Sequence, residues 1–75
     1  MAKKKEDYIQ KIAIKLKQMR IEAGYSSYEN FANAKDIDRK QYWRIENGSN
    51  ITISTLVKIL KLHKISLNDF FQDFD

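Results

Sequence analysis

Hydrophobic residues recur along most of the chain at the three- and four-residue spacing of amphipathic helices. The first such stripe predicts a helix over 6–23, and Gly24 follows it as a left-handed helix stop would. The apolar positions of this helix are Ile9, Ile12, Leu16, Met19 and Ala23. Ile14 and Ile21 lie off the stripe, and we interpret them as the edge of a wide core face rather than as a contact with another chain.

Two short helices are predicted next, because residues suited to N-capping precede each group of apolar positions. Ser26 or Ser27 would cap a helix over about 27–34, and Asp38 would cap a helix over about 38–46. The apolar residues expected to face the core are Phe31, Ala32, Tyr42 and Ile45.

The last third of the chain predicts two further helices, capped by Thr52 and Ser66. Their expected apolar residues are Ile53, Leu56, Val57, Ile59 and Leu60 in one helix, and Leu67, Phe70 and Phe71 in the other. No segment shows the strict alternation of a half-buried strand. We therefore expect an all-α fold of five helices in a single domain over 1–75.

Composition argues against several classes of function. The 75 residues include no cysteine and one histidine, His63, so neither a disulfide scaffold nor a zinc site is expected. There is no Ser/His/Asp or Cys/His set and no glycine-rich phosphate loop, so we expect no enzyme and no cofactor. Without a long apolar run or a signal peptide, the expected location is the cytoplasm, away from membranes.

The net charge of +4 lies in residues 1–24, which hold seven Lys or Arg and three Asp or Glu. Lys3, Lys4 and Lys5 could form a basic arm over 1–5, although an unstructured solvated tail fits them better. A mildly basic chain is compatible with nucleic acid as its partner. A solvated, lysine-rich helix face would give the same charge, and charge alone favours that interpretation.

The second and third helices are only a few residues apart, which is the spacing of a helix-turn-helix. Over residues 15–71 the sequence resembles the phage-repressor-like (Xre-type) helix-turn-helix family. The matching segments are Arg20-x-x-x-Gly24, Glu29-x-Phe31-Ala32, Arg44-Ile45-Glu46-Asn47-Gly48, Thr52-Ile53-x-x-Leu56 and Ile65-Ser66-Leu67. The resemblance implies a compact, five-helix, lambda-repressor-like domain that binds DNA through a helix-turn-helix over about 27–46.

The resemblance also implies an ion pair between Arg20, near the end of the first helix, and Glu46, at the end of the third. A planar guanidinium can bind a carboxylate through two hydrogen bonds, which would fix the third helix against the first. The alternative is two surface residues that never meet.

By resemblance, the outer face of the third helix would contact DNA bases in the major groove. Arg39, Lys40 and Arg44 stand at base-contacting positions, and Arg suits the O6/N7 edge of guanine. Gln41 would reach adenine if the helix were rotated slightly. Trp43 would either contact thymine methyl groups or the DNA backbone, or cover the junction of the second and third helices as core, and both interpretations stay open.

Contacts to the DNA backbone position a protein without reading the sequence. The candidate residues are Ser27, Tyr28, Asn47, Ser49 and Asn50, each of which could equally be an ordinary cap or loop residue. The sequence departs from the family at three of the expected positions. Tyr28 replaces the usual glutamine, Asp36 occupies the usual glycine of the turn, and no Lys or Arg follows Gly48 in the next loop.

These features predict a sequence-specific, double-stranded DNA-binding protein of bacterial or phage type that regulates transcription. A homodimer is expected, at least on DNA, with its contact surface on the last two helices. There, Phe70, Phe71 and Phe74 are either a surplus apolar patch or the closure of a small core. The alternative function is a protein-interaction module of the same fold, such as an antitoxin or anti-repressor that holds a protein partner.

Overall fold

Five α-helices and no strand make up the part of the chain that the computed structural model describes, residues 5–72 and 74, with side chains from residue 8 onward. The helices are α1 Lys5–Glu22, α2 Tyr28–Ala34, α3 Arg39–Glu46, α4 Ile53–Leu62 and α5 Leu67–Phe71. The predicted all-α fold is confirmed, and the bounds of α1, α2 and α3 agree with the expected ones to within one residue. Lys5 belongs to α1 rather than to a basic arm, and the rest of that expected arm lies outside the described residues.

Side-chain caps explain where four of the helices begin. Ser27 and Asp38 accept hydrogen bonds from the backbone N–H three residues later, at 3.0 and 2.9 Å. Thr52 and Ser66 do the same at 3.2 and 3.0 Å. Each bond satisfies an N–H that the first turn of a helix leaves without an intrahelical partner, so the predicted caps are confirmed.

Left-handed backbone residues end the helices and shape the turns. Gly24, Asp36 and Gly48 have φ values of 98°, 58° and 91°. Asp36 therefore adopts the conformation of the glycine that it replaces in the turn between α2 and α3, as an aspartate can more easily than most residues. Lys64, which follows α4, also has a φ of 58°, and a lysine gives no sequence signal for this conformation.

The core lies where all five helices meet. Its buried residues include Leu16 of α1, Phe31 and Ala32 of α2, Tyr42 and Ile45 of α3, Leu56, Ile59 and Leu60 of α4, and Phe70 of α5. Phe31 is in the middle, with its ring centroid 5.0 Å from that of Tyr42 and 5.2 Å from that of His63. The radius of gyration is 12.0 Å. Tyr42 and Ile45 thus anchor α3 from behind.

Three isoleucines assigned to the core by their spacing are exposed instead. Ile14 and Ile21 of α1 are 60% and 51% exposed, so their interpretation as the edge of a wide core face is wrong. At about 100° per residue they project from the side of α1 opposite to the buried Leu16. Ile53, the first residue of α4, is 64% exposed because it precedes the turn that reaches the core.

The aromatic end of the chain folds back onto α1. Phe70 is buried, and Phe71 and Phe74 pack against the core. Lys15 donates a hydrogen bond to the backbone oxygen of Phe70 at 2.5 Å, and Lys11 donates to that of Phe74 at 3.2 Å. These three phenylalanines therefore close the small core rather than form a free patch. None of the described helices has the length and apolar character needed to cross a membrane.

Candidate nucleic-acid interface

The outer surface of α3 carries most of the predicted base-contacting residues. Because Tyr42 and Ile45 are buried, the helical repeat of about 100° per residue turns the remaining side chains outward. Arg39, Lys40, Gln41, Trp43 and Arg44 are all exposed. The structure therefore leaves the cationic side of α3 accessible.

A groove between α2 and α3 gathers four of these side chains. This α2–α3 groove has a volume of about 380 Å³. It is lined by Tyr28, Glu29, Arg39, Lys40, Trp43 and Arg44. Three cationic groups around one concave surface suit an anionic polymer, and the exposed indole adds an apolar contact surface.

One carboxylate lies among these cations. Glu29 Oε2 is 3.3 Å from Arg39 Nη1, and the two side chains are 50% and 60% exposed. Lys40 and Arg44 form no ion pair with any residue that the structure describes. The sequence places Glu29 only within the matching segment Glu29-x-Phe31-Ala32, which does not indicate a residue of this surface. The one sequence signal for the contact is the charge of Glu29, which is opposite to that of Arg39 at the start of the next helix.

Trp43 does not belong to the core. It is 48% exposed and lines the α2–α3 groove together with Arg39 and Lys40. Of its two open interpretations, the one that made it cover the junction of α2 and α3 as a core residue is therefore wrong. Tyr28, by contrast, is half-buried and packs against the core.

A second, smaller groove runs along the other side of α3. This α3–α4 groove, of about 190 Å³, is lined by Gln41, Arg44, Ile45, Ser49, Asn50, Ile51, Thr52 and Thr55. Gln41 thus faces away from Arg39 and Lys40, toward the loop that precedes α4. Arg44 lines both grooves and stands between them.

The residues predicted to contact the DNA backbone differ in how their polar groups are used. The Ser27 hydroxyl caps α2, and the Asn47 side-chain amide donates to the backbone oxygen of Trp43 at 2.8 Å. Ser49 and Asn50 are exposed in the loop after α3, and the Ser49 backbone N–H donates to the Arg44 oxygen at 2.9 Å. Of these four, only Ser49 and Asn50 have side chains without a hydrogen bond to another described residue.

A buried ion pair fixes α3 against α1. Arg20 Nε and Nη2 donate to Glu46 Oε2 and Oε1 at 2.8 and 3.1 Å, and Arg20 Nη1 donates to the Tyr25 backbone oxygen at 2.7 Å. The hydrogen bonds to Glu46 raise the pKa of the Arg20 guanidinium, against the opposing effect of burial. The structure thus brings together the two residues for which the resemblance implied a pair.

Tyr42 lies beside this pair and stays neutral. Burial raises the pKa of its hydroxyl, and the Glu46 carboxylate raises it further. The buried ring of Tyr42 and the bidentate ion pair therefore attach the inner face of α3 to the rest of the fold, while its opposite face is open to solvent.

A protein-family model described as a helix-turn-helix domain matches residues 13–74. The matched region includes all of α2, α3, α4 and α5 and most of α1. Neither a curated protein nor a solved structure gave a match.

Proposed function

Because the chain belongs to the helix-turn-helix domain family, we propose that it binds specific sequences in double-stranded DNA and regulates transcription. The match also supports the resemblance to phage-repressor-like proteins that the sequence motifs indicate. In this function α3 is the recognition helix and lies in the major groove. A binding role of this kind needs no catalytic group and no cofactor.

The observation that carries the proposal is the division of α3 into two faces. Tyr42 and Ile45 are buried, whereas Arg39, Lys40 and Arg44 point into solvent. A helix that enters the major groove needs a rigid inner face and a polar outer face that reaches base edges. The buried pair of Arg20 and Glu46 supplies additional rigidity at its far end.

We assign roles by position in the two grooves. Arg39 and Lys40, in the first turn of α3, contact bases, and Arg is suited to guanine. Trp43 offers an apolar surface to thymine methyl groups or sugars from the α2–α3 groove. Arg44 and Gln41 reach bases on the side of the α3–α4 groove.

The backbone contacts flank these residues on both sides. Ser27 and Tyr28 stand at the start of α2, and Asn47, Ser49 and Asn50 follow α3. The free side chains of Ser49 and Asn50 make them the stronger phosphate contacts. Asn47, whose amide is used within the chain, contributes less.

Dimerisation on DNA would double a small interface and match a site with two half-sites about one helical turn apart. With Phe70 buried and Phe74 packed on the core, the apolar groups left for a dimer contact on α4 and α5 are Ile53 and Leu67. Sedimentation of the protein with a one-site and a two-site duplex tests this stoichiometry.

Selection of bound duplexes from a random pool tests the main proposal. The wild-type protein should enrich one motif, and Arg39→Ala and Lys40→Ala should each relax the preference at one position. Removal of a base-contacting arginine should weaken DNA binding by about 1–3 kcal/mol. If the wild type enriches no motif, the sequence-specific function is wrong.

A second candidate function is a protein-interaction module of the same fold. It is favoured by Ile14 and Ile21, which are exposed two turns apart on one side of α1, away from the α3 surface. In that case, substitution of both isoleucines by serine would abolish binding of a protein partner and leave DNA binding unchanged.

A further inference from the structure

Glu29 places a negative charge inside the surface that we assign to DNA. Its carboxylate lines the α2–α3 groove with Arg39, Lys40 and Arg44, and it lies 3.3 Å from Arg39 Nη1. A carboxylate here repels phosphate groups and weakens non-specific attraction to DNA. A pair with both side chains at least half exposed contributes little to folding stability. Glu29 lies in the first turn of α2, where a carboxylate interacts favourably with the helix dipole, but that effect does not require Arg39 beside it.

We propose that Glu29 is a positioning residue that determines specificity by directing Arg39 to a guanine base edge and away from phosphates. The inference rests on the proposed function, because it describes how one side chain of that interface is used. Glu29 thus becomes a residue of the DNA-binding surface, although it acts on the base only through Arg39.

The geometry of the pair leaves Arg39 able to bind a base. Its contact with Glu29 uses Nη1 alone among the described contacts. The remaining N–H groups of the guanidinium, on Nη2 and Nε, are available for the two acceptors of guanine. Glu29 thus restricts where the guanidinium points without occupying all of its donors.

The capped starts of α2 and α3 fix the backbone on both sides of the Glu29–Arg39 pair. Ser27 caps α2 two residues before Glu29, and Asp38 caps α3 one residue before Arg39. Both backbones are therefore fixed next to the paired side chains. An exposed arginine without such a partner is long and mobile enough to bind a phosphate or a base. The Glu29 carboxylate disfavours the arrangement in which Arg39 binds a phosphate. The arrangement in which Arg39 binds a base is then preferred.

The experiment compares discrimination between bases with overall affinity. Glu29→Ala, Arg39→Ala and the double variant are titrated with three kinds of duplex: the motif selected by the wild type, single-base-pair changes of that motif, and random sequence. Glu22→Ala is the matched control, because it removes one exposed carboxylate at the end of α1, outside both grooves.

We expect Glu29→Ala to bind random duplex about twofold tighter at low salt, because one repulsive charge is removed. It should also lose about fivefold or more of the discrimination at one guanine position, the same position that Arg39→Ala relaxes. In the Arg39→Ala background, removal of Glu29 should cause no further loss of discrimination. Glu22→Ala should leave every base preference unchanged.

The inference is overturned if Glu29→Ala leaves discrimination unchanged at every position, or lowers it equally at all positions. Glu29→Gln, which keeps the size of the side chain, decides the matter if the alanine variant melts at a lower temperature. Failure of the proposed function has a different result, because the wild type would then select no motif at all. A wild-type motif with no change at the Arg39 position in Glu29→Gln defeats only the role of Glu29.

Discussion

Gln10 of α1 covers Gly48, the left-handed residue that follows α3. A β-carbon on Gly48 would lie 2.9 Å from Gln10 Cδ, closer than side-chain atoms pack. Gly24 has a similar left-handed φ, but a β-carbon there would meet nothing within 4 Å. Because Gln10 is exposed and only the end of its side chain lies close, it can move aside, so backbone strain dominates at both glycines.

Alanine at Gly24 should lower the free energy of unfolding by about 1–2 kcal/mol, because L-residues with a β-carbon disfavour this backbone conformation. Alanine at Gly48 should lower it by a similar amount, since the end of the exposed Gln10 side chain can move aside. Gln10→Ala should therefore change the loss caused by Gly48→Ala only slightly. Urea unfolding measures all three, and a Gly48→Ala protein as stable as the wild type would contradict the left-handed conformation of Gly48.

Breaking the buried ion pair should affect folding and DNA binding together. Glu46→Ala leaves the Arg20 guanidinium buried without its carboxylate, and we expect a loss of about 3–5 kcal/mol in the free energy of unfolding. DNA affinity should fall as well, because α3 loses its attachment to α1. Thermal melting and DNA titration of the same sample test this prediction.

Glu29→Ala is the control for Glu46→Ala, because it also removes the carboxylate of an Arg–Glu pair. That pair is exposed, so the loss of stability should stay below about 1 kcal/mol. Equal melting temperatures for the wild type and Glu46→Ala would show that the buried pair does not support the fold.

Local chemistry made most of the fold predictable. The caps Ser27, Asp38, Thr52 and Ser66 act through bonds three residues away, so sequence alone locates them. Burial depends on distant packing and was less predictable. Ile14 repeats with Ile21 at a helical spacing, yet no other element covers that side of α1 among the described residues.

The candidate DNA-binding surface was likewise predictable only where a single helix determines it. Arg39, Lys40 and Arg44 could be placed outward from the inward positions of Tyr42 and Ile45 on one helix. Glu29 could not be placed beside Arg39, because their contact depends on how α2 crosses α3. The exposure of Trp43 likewise depends on how α2 and α3 pack together.

Trp43 gives a direct optical test of DNA contact. It is the one tryptophan of the sequence, and it is 48% exposed in the α2–α3 groove. We expect its emission to shift and weaken when a selected duplex is added, because thymine methyl groups or sugars replace water around the ring. Trp43→Ala should weaken DNA binding while the melting temperature changes little. An emission spectrum that does not change at saturating DNA would remove Trp43 from the interface.

His63 should make stability depend on pH. Its ring stacks on Phe31, and its buried Nε2 has no hydrogen-bond partner among the described residues. Burial lowers the pKa of His63, and the charge of Lys35 lowers it further. Because the unfolded chain then takes up the proton first, stability should be complete above a pH of about 6.5 and fall as the pH decreases below it.

His63→Gln should remove most of this dependence. Urea unfolding midpoints of both proteins between about pH 7 and pH 5 compare the two slopes in a range where most carboxylates stay ionised. Parallel slopes would show that the decline comes from other groups. A variant that loses stability equally at every pH would also contradict a titrating role for this ring.

A crystal structure of the protein with the selected duplex would show whether the outer face of α3 contacts DNA bases. We expect α3 in the major groove, with Arg39 and Lys40 within hydrogen-bonding distance of base edges and Glu29 still beside Arg39. Tyr42 and Ile45 should remain buried behind them. A complex in which α3 faces solvent, or in which another surface of the protein lies on the DNA, would show that α3 is not the recognition helix.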